Sequence, residues 1–355
     1  MGKHPNQQDK GYQQGRSAAA GRISSEETSV KFRIKTLAAA AAFAVCATAS
    51  AATTWTTYTF GPAETLGNVQ GLKRILDDIE KTTGGEVKFR LRLAGSLPIQ
   101  STNITQAVGN GTIQFADDGF YLGNIRVAGV LRLPMLLRTP QEYDTAFKIM
   151  EPYINREFEK KGVVVLGHFL FPHQVAFSAK PLAKLADMKD QKLRVSSPEQ
   201  AAFVQRVGGI PITMGGAEVP SGLQTGTVDG VFTASAGGGK IWGDMLKYNY
   251  RLPVNYFDGF YIANKKAFDR LSPDVQQKIR DSVQRLAPST TAQIYKEEDE
   301  VTAMLKSKGM VITQPTDADE DEATRKVADY WDQWAREQGP EVAQALAEVR
   351  KALGR

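Results

Sequence analysis

Residues 191–235 read QKLRVSSPEQAAFVQRVGGIPITMGGAEVPSGLQTGTVDGVFTAS, two consecutive units of strand, loop and helix. The first strand, Lys192 to Val195, carries Arg194 among apolar neighbours. A guanidinium stays charged and holds a planar fork of donors that matches a carboxylate through two bonds at once. An Arg leaving a strand toward a helix start therefore suits an organic acid. Ser196, Ser197 and Pro198 add to this, because Ser followed by Pro opens a helix whose unpaired first N–H groups favour negative charge. On the strand alone, an Arg paired with an acidic residue inside the fold is the simpler reading. What weighs against it is the order of signals that follows. Val207-Gly208-Gly209-Ile210-Pro211 ends a helix and Ile212 to Met214 is a short strand. Glu218 to Gln224 is a helical turn, and Thr225 to Gly230 re-enters a strand.

The same alternation extends outward on both sides. Toward the N-terminus, Thr56–Phe60 predicts a strand, Gly67–Lys81 a helix stopped by Gly84-Gly85, and Val87–Leu93 a strand. Helix Ile104–Gly109 leads to strand Thr112–Ala116, and helix Glu142–Lys161 to the apolar strand Val163–Leu170. Such alternation predicts an α/β fold with mostly parallel sheets covered by helices, and ligands at the carboxyl ends of strands. After Pro273 the pattern turns helical, with Asp274–Leu286, Ser289–Lys308, Asp319–Gln338 and Glu341–Leu353 as helices and Met310–Thr313 as a short strand. Trp331 and Trp334 share one helix face and read as packing anchors.

The chain before residue 52 has another character. Residues 1–30 are polar, without apolar period, and read as an artefactual or disordered extension. Lys31, Arg33 and Lys35 then precede the apolar run Leu37–Ala47, and Ala49-Ser50-Ala51 gives a small-x-small cleavage pattern. Residues 31–51 thus read as a secretory signal peptide cleaved after Ala51, with Ala47-Thr48-Ala49 as the alternative site and Val30 as the expected true start. The single cysteine, Cys46, lies inside this leader and follows Val45, where a lipoprotein signal would carry Gly or Ala. Residues 52–355 therefore hold no disulfide, thiol nucleophile or thiolate metal site. Residues 1–51 carry 7 of the 44 Lys and Arg and 3 of the 39 Asp and Glu, which leaves 37 basic against 36 acidic residues in 52–355. That near-neutral balance, with no basic block, speaks against nucleic acid as partner.

Enzyme signatures are largely missing. Gly237-Gly238-Gly239-Lys240 lacks the upstream Gly of a phosphate loop, since position 234 is Ala, and Ile241 stands where Ser or Thr is needed. It reads as a flexible helix entry. No G-x-S-x-G or H-E-x-x-H occurs, and His168 and His173 are the only histidines after the leader. No catalytic residue, metal or cofactor is expected. Asp117-Asp118 after a strand suggests a carboxylate pair, yet adjacent residues there point different ways and one is often a helix cap.

Taken together, Lys192-Leu193-Arg194-Val195, Gly208–Pro211, Met214, Glu218-Val219, Leu223-Gln224-Thr225-Gly226, Val228-Asp229-Gly230 and Leu271-Ser272-Pro273 resemble the extracytoplasmic solute-binding proteins of tripartite ATP-independent periplasmic (TRAP) transporters, the dicarboxylate-binding-subunit, DctP-like family. The resemblance implies the two-lobed periplasmic binding protein fold with a ligand cleft between lobes. Residues 52–132 and 256–355, with the C-terminal helices, would form the first lobe and 133–255 the second. It implies a monomeric periplasmic receptor that closes on an organic acid and presents it to a pair of membrane permease subunits. By the same resemblance Arg194 would take the ligand carboxylate, near Ser196. His173, in Phe171-Pro172-His173-Gln174, aligns with a second Arg of similar proteins and is either a ligand contact or a hinge residue. Phe232 and Thr233 stand where many relatives carry an acidic residue and Asn. Gly215-Gly216 replaces a stretch where relatives place an aromatic ring, which leaves volume that Phe120, Tyr121, Trp242, Tyr256 and Phe257 could line, unless they are ordinary core. A bulkier monocarboxylate, aromatic or hydroxylated, is the ligand this implies. A binding protein of another transporter type would share the lobes without the Leu-Arg-Val to Val-Asp-Gly spacing. A secreted α/β enzyme would need a general base or nucleophile not found here.

Overall fold

The computed structural model describes residues 52–355; the expectations for the N-terminal extension, the signal peptide and Cys46 lie outside them. Nine strands form one mixed sheet among the described residues. In chain order they are β1 (Thr53–Thr59), β2 (Val87–Arg92), β3 (Phe115–Asp118), β4 (Val163–Ser178), β5 (Lys192–Val195), β6 (Ile210–Thr213), β7 (Gly230–Thr233), β8 (Tyr248–Asn264) and β9 (Val311–Thr313). Their spatial order is β2-β1-β3-β8-β4-β7-β5-β6, with β9 beside β8.

The sheet has two parallel wings. β1 pairs in parallel with β2 and β3, and β5 in parallel with β6 and β7. β4 and β8 join the wings as one long antiparallel ribbon, running from Val163 opposite Asn264 to Ser178 opposite Tyr248. β3 attaches to the C-terminal half of β8, and β7 to the C-terminal half of β4. The sequence predicts a strand ending at Leu170, whereas β4 continues through Pro172 to Ser178. A proline lacks the N–H that a ladder needs, but Pro172 falls at the register shift between Phe171 and His173, where the ladder is already interrupted.

The helices begin and end where local chemistry dictates. Helix Gly67–Thr82 stops before Gly84 and Gly85, whose φ of +61° and +80° lie in the left-handed region that suits glycine. Ser197 caps helix Pro198–Arg206 by accepting from the Gln200 amide, with Pro198 in the first turn. Two expectations fail in the C-terminal region. The runs on either side of Pro288 are a single helix, Pro273–Ser307, because the buried stripe Val275, Ile279, Val283, Ala287, Ile294, Val301 and Leu305 stays on one face through the proline. Conversely, the expected helix Asp319–Gln338 is two, Asp317–Val327 and Tyr330–Gln338. The break brings Trp331 and Trp334 inward as the anchors their spacing predicts, and Trp331 Nε1 donates to Pro134 O at 2.9 Å. Among the described residues no helix is long and apolar enough to cross a membrane.

Candidate ligand-binding site

Arg194 sits near the end of β5, between the buried Leu193 and Val195, and is itself only 4% exposed. Its Nε donates to Met214 O at 3.0 Å and Nη1 to Phe232 O at 3.3 Å. The guanidinium carbon lies 5.7 Å from the centres of both the Phe120 and Trp242 rings. Among the described residues no carboxylate stands within ion-pair distance of it. Burial pulls its pKa down to about 10, against a weaker opposite pull from the more distant Glu218. A second buried arginine shows what the fold does when it neutralises such a charge. Arg132 Nε donates to Asp258 Oδ1 at 2.7 Å, and Asp258 also accepts from Tyr121 at 2.6 Å and Tyr143 at 2.8 Å.

Arg194 faces a cavity of about 60 Å³. The cavity lies at the carboxyl ends of both parallel wings. Phe60 and Gly61 follow β1, Phe120 follows β3, Gly216 follows β6, and Thr233 ends β7. The ribbon adds Phe171 and Gln174 from β4 and Phe257 from β8. Phe60, Phe120 and Phe257 meet edge to face at 5.7–5.8 Å and make the apolar wall. The polar lining is Arg194, Asn68, Gln174 and Thr233. Thr233 Oγ1 accepts from the Gly238 amide at 2.8 Å and so fixes the wide turn Ser235–Gly239. The glycine run expected as a flexible helix entry thereby forms cavity wall, with Trp242 packed so tightly on Gly238 that any Cβ there would overlap its ring.

Six of the sequence candidates come together here: Arg194, Thr233, Gly216, Phe120, Trp242 and Phe257. Five lie elsewhere, among them Tyr256, which packs against Tyr143 and His173. Phe232 is next to Thr233 in β7, so its ring points to the opposite face and packs against Phe203 at 6.1 Å. Tyr121 belongs to the Arg132–Asp258 network. Ser196 binds Gln200 Oε1 through its amide and hydroxyl. His173 stacks on Tyr256 with ring centres 3.8 Å apart, and its Nε2 donates to Leu137 O at 3.1 Å. The shift beside Pro172 explains this last result: it breaks simple alternation, so that Phe171 and Gln174 reach the cavity and His173 does not. Burial lowers the His173 pKa, which favours the neutral ring. Nor is the volume beside Gly216 empty, because Trp242 and Pro62 come within 3.6 Å of where a Cβ would stand. An aromatic ring fills that space from another element. Sequence reasoning missed Phe60, Asn68, Phe171 and Gln174, for which only proximity to strand ends was a signal.

Asp117 and Asp118 are fully buried and bind local groups. Asp117 accepts from the Phe60 amide at 3.1 Å and Asn68 Nδ2 at 2.9 Å; Asp118 accepts from Thr105 Oγ1 at 2.6 Å and the Phe120 amide at 2.8 Å. The pair therefore holds the turns that deliver Phe60 and Phe120 to the cavity.

The model of the bacterial extracellular solute-binding protein family 7, DctP, matches residues 62–338. The chain belongs to this family. Its members are the receptors of TRAP transporters, which bind small organic acids and work with membrane permease components. This chain is similar to the 2,3-diketo-L-gulonate-binding periplasmic protein YiaO of Escherichia coli (strain K12), 26% identical over 254 residues that cover 69% of this chain and 76% of that protein. It is also similar to the sialic acid-binding periplasmic protein SiaP of Vibrio cholerae serotype O1, 23% identical over 270 residues, 73% of this chain and 83% of that one. Among solved structures, DctP7 of Bordetella pertussis, an extracytoplasmic solute receptor binding pyroglutamic acid, superposes with a TM-score of 0.79 at 23% identity, over 84% of this chain and 100% of that chain. The family fold is the two-lobed periplasmic binding protein, with its ligand cleft between lobes.

Proposed function

We propose that this TRAP receptor captures a compact monocarboxylate, with Arg194 as the carboxylate anchor, and delivers it to the membrane permease. One observation carries the reading: a buried guanidinium lines a cavity and has no carboxylate partner among the described residues. Such a charge is costly in a low-dielectric site unless paired, and a bound acid would pair it while water is excluded. The small cavity, with Trp242 beside Gly216, favours a compact ligand over the bulky one that the Gly-Gly stretch suggests. Phe120 and Phe257 would meet its apolar part, and Thr233 and Gln174 its polar edge.

In this reading residues 31–51 export the chain to the periplasm and are removed, and the mature protein binds without turnover. The first lobe would comprise residues 52–132 and 256–355 and the second 133–255, joined by the β4–β8 ribbon. Pairing of Val163–Leu170 with Asp258–Asn264 favours counting that stretch with the first lobe. Closure would be a hinge motion of the lobes about the ribbon.

Thermal melting of the mature chain against a panel of small organic acids tests the anchor. A ligand at a hundred times its dissociation constant adds about 2.7 kcal/mol, a shift of several degrees. We expect a shift with one acid class that is lost in Arg194→Ala. Shifts with sugars or amines only, or an unchanged acid response in Arg194→Ala, would overturn the assignment.

A further inference from the structure

The cavity is shut. Arg194, Gln174, Thr233, Phe120 and Phe257 line it and are each at most 6% exposed, so an acid enters or leaves only when the walls part. One wall is the segment after β1, with Gly61, Pro62 and Leu66; another is the run after β7, with Gly237, Gly238, Ile241 and Trp242. Lys240 belongs to that second run but does not line the cavity. Its Nζ donates to Thr65 O, in the first wall, at 2.7 Å and to Glu297 Oε2, on helix Pro273–Ser307, at 2.8 Å. Among the described residues the bond to Thr65 is the one hydrogen bond that joins residues 52–132 to residues 133–255.

Both acceptors are held in place without Lys240. Helix Gly67–Thr82 opens just after Thr65 and lies so close to helix Pro273–Ser307 that a Cβ on Gly67 would overlap Ile294 and one on Gly71 would overlap Thr290. Exposed ion pairs contribute little, but here the Lys240 and Glu297 side chains are only 24% and 13% exposed, and an ammonium bonds a carbonyl more strongly than a neutral donor does. Parting of the walls breaks the Thr65 bond and leaves Lys240 on Glu297. A contact made in one form alone shifts the balance toward that form by its own free energy. We propose that Lys240 is a positioning residue that clasps the two walls together, favouring the shut receptor and slowing release of the bound acid. The inference deepens the receptor reading and rests on its closing motion.

Residues 52–355 hold no cysteine, so a label pair can be placed cleanly: Arg92→Cys in β2 and Gln224→Cys in helix Val219–Gln224, both exposed and on opposite wings. Pulsed electron paramagnetic resonance then reads the distances between spin labels, without acid and with lactate or pyroglutamate as probes. We expect a shorter and a longer distance, with the ratio of shorter to longer falling about fivefold in Lys240→Met and retained in Lys240→Arg. An unchanged ratio in Lys240→Met would overturn the clasp. An equal fall in Lys240→Arg would overturn it too, by showing that the shape of the helix start and not the cation holds the walls. So would a wild-type chain without the shorter distance under every condition. Arg194→Ala separates the two readings: a response to either acid that survives in it overturns the anchor and leaves the clasp standing.

Discussion

Two buried arginines with opposite surroundings set the chemistry of this receptor. Arg132 is neutralised by Asp258 and two tyrosine hydroxyls, which makes it part of the frame. Arg194 has carbonyl oxygens and rings around it but no anion among the described residues. Replacing it with an apolar side chain of similar length should therefore help the empty protein even as it destroys binding. We expect Arg194→Met to melt higher than wild type without ligand, by about 1–3 kcal/mol, and to give no shift with any acid. A variant less stable than wild type would show that the charge is neutralised in the empty site. A second prediction concerns Asp117. Burial raises its pKa to about 7, although hydrogen bonds from Thr59, Asn68 and the Phe60 amide favour the charged form. A folded-state pKa above the unfolded value means that the native state binds the extra proton, so the contribution to stability is full at acid pH and declines as pH rises toward 7. Asp117→Asn, which has no proton to lose, should compare worst with wild type at about pH 4 and improve relative to it by about pH 8. Melting curves of both proteins across that range check the sign.

Elements place these residues because strand ends are where side chains leave the ladder. β1, β3, β6 and β7 each end at the cavity, and the turns after β1, β3 and β7 are pinned by Asp117, Asp118 and Thr233, that after β6 by Glu218. In the turn Ser235–Gly239 the Trp242 ring lies directly on Gly238. Gly238→Ala would displace that ring, which also stands 5.7 Å from the Arg194 guanidinium carbon. Overpacking of this kind costs about 1–3 kcal/mol, and we expect a lower melting point together with weakened acid binding. Unchanged binding in a correspondingly destabilised variant would separate the turn from the site. Legibility also differed by element. β5 and helix Ile104–Gly109 were readable to the residue, because turn chemistry brackets each of them. β4 was read eight residues short, since the proline signal within it is local while the register shift that accommodates it exists only in the paired ribbon.

At the scale of the whole molecule, the ribbon of β4 and β8 joins the two parallel wings, and the cavity lies where they meet. If closure traps the ligand, saturating acid should slow amide exchange at the ends of β5 and β7 and in the first turn of helix Gly67–Thr82. The outward face of helix Pro273–Ser307 should be unaffected. Protection spread evenly over the chain would instead indicate global stabilisation without closure.

The sequence by itself determined the fold class, the order of most elements and the position of Arg194, because these depend on local periodicity, caps and turns that each stretch carries within itself. It also singled out the segment Phe171–Gln174, naming His173 there, whereas Phe171 and Gln174 are the two that line the cavity. Tertiary structure alone decided which residues share the cavity. Phe60, Asn68, Gln174 and Trp242 are drawn together from distant parts of the chain, and whether a ring faces the cavity or the core turns on a one-residue register shift. The same holds for charge. Arg132 and Arg194 look alike in sequence, and only the arrival of Asp258 at one, and of no carboxylate among the described residues at the other, makes the first structural and lets the second be proposed as the anchor for an acid from outside.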